Sequence, residues 1–410
     1  MINCFFGIIF GIPNYNFISL HLNMKRGLLI LFFTLLGIAS FSQSKVYSLV
    51  HELIENLSTS QVNKDSEYFN GMFPGYRECG GFPHNYQPDN NIFYTAEGIF
   101  ILRNLVPYLG EADKKEVDTI IAKSQHAFHW FQDKKGLPYY NFWPSNSGIL
   151  PHTYVFKYLN GIFGQGEDVD DALMCLMAQN AGDSTCNILK KRMIEVSNLA
   201  RKKIISTYPK YRNIPAYSTY LGYGMNPDFD FGVHCNILYF MLDRKLKLVK
   251  QDSATIDLLS QIIRNREYMK DPAFLSPYYV KSSVLLYHLS RLIGRFNIPE
   301  LEKYKPQLIT DMKLLLGQST NILERIILST SLLRLGYDPP AIKIPDISDF
   351  ENSNQKLFIF FQARAAFSYP SFLKHIFIHW SYINYYFYSP AFNNILLLEY
   401  LVLKKEAEAH

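Results

Sequence analysis

Apolar residues along this chain recur mostly at helical spacing. The pattern predicts helices over 46–57, 92–108, 113–131, 169–180, 186–206, 231–243, 253–269, 278–294, 300–316, 321–335 and 391–403. They are of two kinds. Those beginning near 92, 169, 231, 278, 321 and 391 are apolar nearly all round. Those at 113, 186, 253 and 300 carry charges on one face; the helix at 186 shows this best, with Lys190-Lys191-Arg192 and then Arg201-Lys202-Lys203. A helix that is apolar on every side is buried, and a striped helix lies on the surface. With 46–57 as a further outer helix, the alternation predicts an all-α fold, an (α/α)6 toroid-like barrel of inner and outer helices. Loops rich in Gly, Pro, Asn and Tyr fall at 71–91, 136–152, 208–230 and 270–277. Segment 355–388 suits strands or a buried helix.

The N-terminus adds a targeting signal. Met24-Lys25-Arg26 precedes the apolar run Gly27 to Ala39, followed by Ser40-Phe41-Ser42-Gln43. A positive start, a short apolar stretch and small residues before a cut after Ser42 are the marks of a signal peptide. The expected organisation is an upstream extension over 1–23, a signal peptide over 24–42 and a single domain over 43–410. The protein is then exported, to the periplasm or beyond, with no integral membrane span after cleavage.

Composition narrows the classes. Of 410 residues, 48% are hydrophobic and 19% charged, as in a globular chain and not a disordered one. The net charge of +5 is spread without a long basic tract, which argues against nucleic-acid binding. After processing Cys79, Cys175, Cys186 and Cys235 remain, none in a CxxC pair, so a zinc or redox site has no support. Aromatic residues make up 15%, more than one core readily absorbs, and Tyr and Phe are available to line a cavity.

Candidate chemistry sits where inner helices begin. If those helices point the same way, their N-termini share one mouth of the barrel. Asn91 precedes the first; Asp168, Asp170 and Asp171 open the second; Asp228 and Asp230 precede the third, with His234 one turn on; Tyr278 and Tyr279 open the fourth. Tyr140 and Trp143 lie in an aromatic loop ahead of the second. Asp and Asn are also ordinary helix caps. Three Asp within four positions exceed what a cap needs, and crowded carboxylates raise one another's pKa, as a general acid requires. The same crowding suits a divalent cation; no other cofactor is implied. The catalytic candidates are Asp168, Asp170, Asp171, Asp228 and Asp230. The substrate-binding candidates are Asn91, Tyr140, Trp143, His234, Tyr278 and Tyr279. Together they would hold a small-molecule, lipid or glycan ligand.

Asp168-Val169-Asp170-Asp171-Ala172 resembles the DxDD motif of class II terpenoid cyclases, which are built from α/α toroids, as are the related protein prenyltransferases. The resemblance implies that Asp170 is the acid that protonates an alkene or epoxide. It implies that Asp168 and Asp171 support it and that aromatic rings steady the cations formed. The cyclase motif usually continues with Thr where this chain has Ala172. Two other readings stand beside it: a secreted glycan-active (α/α)6 enzyme, with Asp170 or Asp171 opposed to Asp228 or Asp230, and a non-catalytic exported binding protein.

Overall fold

The computed structural model describes residues 47–80, 82–147, 167–222, 226–354, 358–364, 370–378, 380 and 384–409. The extension over 1–23 and the signal peptide over 24–42 lie outside the described residues. The described part begins with helix α1 over 47–60, and the chain from Leu53 onward is one compact unit. The unit is mostly helical and carries one small antiparallel sheet.

The long helices are α2 (Phe93–Leu105), α3 (Glu111–Phe128), α4 (Val169–Ala178), α5 (Asp183–Glu195), α6 (Phe231–Asp243) and α7 (Lys250–Arg264). After the short α8 (Glu267–Lys270) and α9 (Pro272–Leu275) come α10 (Ser282–Arg295), the short α11 (Pro299–Glu302), α12 (Lys305–Gln318) and α13 (Ile322–Arg334). The chain ends with α14 (Ile347–Asn354), α15 (Ser371–Phe377) and α16 (Pro390–Ala409).

The helices expected to be buried are the ones that pack on each other. α2 packs on α4, α4 on α6, α6 on α10, α10 on α13, α13 on α16, and α16 returns to α2, a closed cycle. The contacts at their ends fix the direction. Ser283 at the start of α10 meets Glu324 at the start of α13, and Gly294 near the end of α10 meets Arg334 at the end of α13. Tyr94 stacks near Phe392 where α2 and α16 begin. Arg244 after α6 donates to Asn180 after α4 at 2.6 Å. These neighbours run the same way, so their N-termini share one end. The striped helices pack outside: α3 on α2, α5 on α4, α7 on α6 and α12 on α13.

Four departures from the sequence reading have physical causes. The all-α expectation misses strands β1 (Tyr76–Cys79), β2 (Phe82–Pro88), β3 (Phe361–Arg364) and β4 (Asn384–Tyr388), ordered β2-β1-β4-β3. β1 is too short to show alternation, and its partner β4 lies about three hundred positions on, pairing Arg77 with Phe387. The helix expected over 186–206 stops at Glu195, because the Asn198 side chain binds the carbonyls of Arg212 and Ile214 and Leu199 takes a φ of 69°. Arg201-Lys202-Lys203 therefore lies in a loop and not on a helix face. The helix expected over 253–269 breaks at Arg266, whose φ is 55°.

Among the described residues no helix is long and apolar enough to cross a membrane. Cys175, Cys186 and Cys235 are buried free cysteines.

Candidate functional site

Asp168 ends the strand-like approach to α4, its backbone N–H reaching the Tyr140 carbonyl at 3.3 Å. Its carboxylate caps α4 by accepting the Asp170 N–H at 2.7 Å. That geometry turns Asp170 and Asp171 inward in the first helical turn, 5% and 3% exposed. Asp170 is gripped on both oxygens: Asn236 of α6 donates to Oδ1 at 2.8 Å, and the Tyr279 hydroxyl donates to Oδ2. Burial lifts its pKa to about 6, while those two donors hold it down. Asp171 has one oxygen, Oδ1, with no hydrogen-bond partner. Burial and the charges of Asp168 and Asp170 push it well above the carboxylate range. The same two effects raise the half-buried Asp168, burial first and Asp170 second.

The second acidic pair is employed differently. Asp230 caps α6 through the Val233 N–H at 3.1 Å and accepts the Ser276 hydroxyl at 2.6 Å; burial brings its pKa to about 7. Asp228 accepts from Ser206 at 2.5 Å and forms a fully buried ion pair with Lys374 of α15. Both carboxylates are consumed by the fold.

The substrate-binding candidates divide into three groups. Tyr279 touches Asp170 directly. Tyr278 lies beside it, its ring stacked on Phe361 at 5.7 Å. Asn91 and Trp143 gather instead on Asp89, donating at 2.8 and 3.1 Å, where Arg77 also donates at 2.7 Å. Tyr140 accepts from Gln179 at 2.9 Å behind α4, and burial raises its pKa to about 12. His234 donates its Nε2–H to the Tyr217 carbonyl at 2.8 Å and makes no side-chain pair with Asp230. Burial holds it neutral with a pKa of about 4.

Sequence reasoning missed the layer beneath Asp170. Asn236 passes the contact on: its Oδ1 faces Nδ1 of His288 at 3.0 Å and accepts from Arg291 at 2.7 Å. Nδ1 of His288 also lies 3.1 Å from the Arg291 guanidinium, so it sits between an acceptor and a donor. Nε2 of His288 has no hydrogen-bond partner. Arg291 also donates to Glu97 of α2, whose second oxygen is unpartnered. The signal was present in the sequence, since a lone charge on a helix that is apolar all round needs a buried partner.

Aromatic rings pack on one another around the site. At the N-terminal end Phe361 stacks on Phe93 at 4.6 Å and on Phe142 at 5.4 Å, and meets Tyr279 edge-on at 5.7 Å. Further in, the Arg291 guanidinium lies over Phe100 at 4.9 Å. Among the described residues no three of His, Cys, Asp and Glu are grouped as metal ligands. Comparison of the chain with protein families, curated proteins and solved structures gives no match.

Proposed function

We propose that this chain is an acid-catalysing enzyme on an (α/α)6 toroid, terpenoid-cyclase-like, in which Asp170 gives a proton to an apolar, electron-rich substrate. The closed cycle of six helices, with striped helices outside it, supports the toroid. One observation carries the chemistry: the buried Asp170 carboxyl is held on both oxygens by Asn236 and Tyr279 and set beside a second buried carboxyl, Asp171, burial raising the pKa of both. In the step proposed, the alkene π pair takes the Asp170 proton to form a C–H bond, and the carboxylate left behind is stabilised by the Tyr279 hydroxyl and the Asn236 amide. Tyr279 at Asp170 and the neighbouring rings of Phe93, Tyr278 and Phe361 are the aromatic groups available to the resulting cation. A proton lost from the cation restores the acid.

The glycan-active reading is less favoured, because hydrolysis needs a second available carboxylate. Asp228 is paired with Lys374, and Asp230 is held by Ser276 and its own helix. The binding-protein reading draws support from that capping. Export through the signal over 24–42 is part of the proposal.

The test is incubation of the purified chain with linear polyprenes and their diphosphates, with gas chromatography and mass spectrometry reading cyclised products. Products from the wild type, absent with a folded Asp170→Asn variant, are expected. No product from any of them, or equal product from the variant, would end the acid reading.

A further inference from the structure

The short helix α15 is inside out. Lys374 points into the protein, 1% exposed, and is fixed there by its ion pair with Asp228. Phe372 and Ile376, four residues apart on the opposite face, are 64% and 55% exposed. Trp380 follows at 53%, its ring edge-on to Phe377 at 5.0 Å. Ile205, 43% exposed, adjoins them, since its carbonyl accepts the Ser371 N–H at 3.2 Å. Ordinary surface helices turn their charges out and their apolar residues in. Large apolar residues held outward by a buried ion pair mark a surface that something else covers.

The surroundings indicate what covers it. From Val196 to Pro227 the sequence contains no acid and five basic residues, Arg201, Lys202, Lys203, Lys210 and Arg212. Lys210 is paired with Glu267. Lys202 and Lys203 are exposed and hydrogen-bond to the neutral amides of Asn226 and Asn213, at 2.5 and 2.7 Å, so these bonds leave their charge uncompensated. Arg212 donates to Ser371 at 2.7 Å and joins this loop to α15.

We propose that the face formed by Phe372, Ile376, Trp380 and Ile205 docks on an anionic lipid surface, with Lys202 and Lys203 meeting the headgroups. Trp, Phe and Ile on one side of a cationic rim are the chemistry of interfacial attachment, with the rings at the acyl boundary and the ammonium groups among the phosphates. The inference is independent of the acid chemistry.

Vesicle co-sedimentation of the full chain tests it, with phosphatidylcholine vesicles alone or mixed with phosphatidylglycerol. Binding to the mixed vesicles, weakened by raised salt, is expected. Two exposed-site variants, Phe372→Ser with Ile376→Ser and Lys202→Glu with Lys203→Glu, are each expected to weaken it at least tenfold while circular dichroism stays that of the wild type. Binding that survives both pairs of substitutions belongs to another part of the chain, such as the apolar run over 27–39, and overturns the proposal. So does failure to bind either vesicle. Light scattering that finds an oligomer, dissolved by Phe372→Ser with Ile376→Ser while vesicle binding persists, assigns the face to a second copy instead.

Discussion

Arg291 on α10 holds Glu97 on α2, 194 positions earlier, in an ion pair buried at both ends. α2 and α10 are not neighbours in the helix cycle; each is separated from the other by two helices on either side. The pair therefore spans the interior and ties opposite walls together. Asn236 and His288 are built onto it, so the ion pair also fixes the amide that grips Asp170.

Removing one member strands the other charge in a dry interior. Arg291→Met is expected to cost about 3–5 kcal/mol in urea unfolding. Arg291→Met combined with Glu97→Gln should recover much of that loss. A double variant whose loss is simply the sum of the two single losses would show that the residues do not act as a pair.

Stability should depend on pH with two opposed limbs. Asp170 and Asp230 ionise near 6 and 7 in the folded protein, against 3.8 ordinarily. The folded state therefore holds more protons between about pH 4 and 7, and stability falls as pH rises through that window. His234 acts oppositely: its folded pKa of about 4 lies below 6.5, so its contribution is complete above pH 6.5 and is lost as pH falls toward 4. Asp170→Asn should relieve on the order of 2–3 kcal/mol of the alkaline loss. The urea midpoint measured from pH 4 to 8 reads this directly, and an unaltered alkaline slope in the variant would refute the raised Asp170.

Tyr279→Phe takes away a donor that bonds the Asp170 carboxylate more strongly than its neutral acid. The Asp170 ionisation is expected to move from about 6 to roughly 7 or above. Carbon-13 titration of the aspartate carboxyls follows this whether or not the protein turns over a substrate. An unmoved titration would mean that the hydroxyl does not reach Asp170 in solution.

Gly232 stands where α6 meets Tyr279. An added Cβ would lie 2.5 Å from Cδ2 of that rigid ring, so Gly232→Ala is expected to destabilise by about 1–3 kcal/mol. At Gly98 the Cβ would meet only the far end of Ile395, at 2.7 Å. That end can rotate, and Ala favours a helix by about 1 kcal/mol over Gly, so Gly98→Ala should be close to neutral. Thermal unfolding of the two variants side by side decides it; equal losses would contradict the difference in surroundings.

The ring helices were legible because each is apolar on every side, a pattern with one physical meaning. Asp168 was legible as a cap and Asp170 as something more, because three carboxylates crowd one turn. Glu97, Asn236, His288 and Arg291 were not read, since each finds a partner on another helix of the cycle. The strands escaped for a related reason: β1 is four residues, Tyr76–Cys79, and is made a strand by Asn384–Tyr388. Asp228 reads like a catalyst until Lys374, 146 positions away, claims it.

The last helix is the wall that both α2 and α13 require, and β4 is the strand that joins β1 to β3. The cycle therefore cannot close until Pro390–Ala409 has been made, after every other helix of the ring. Until Pro390–Ala409 is in place, the sides of α2 and α13 that face α16 have nothing to pack against, and the ring is an open arc. Closing of the cycle is thus a late folding event, and a chain cut short before Pro390 is expected to be a substrate for chaperones and proteases.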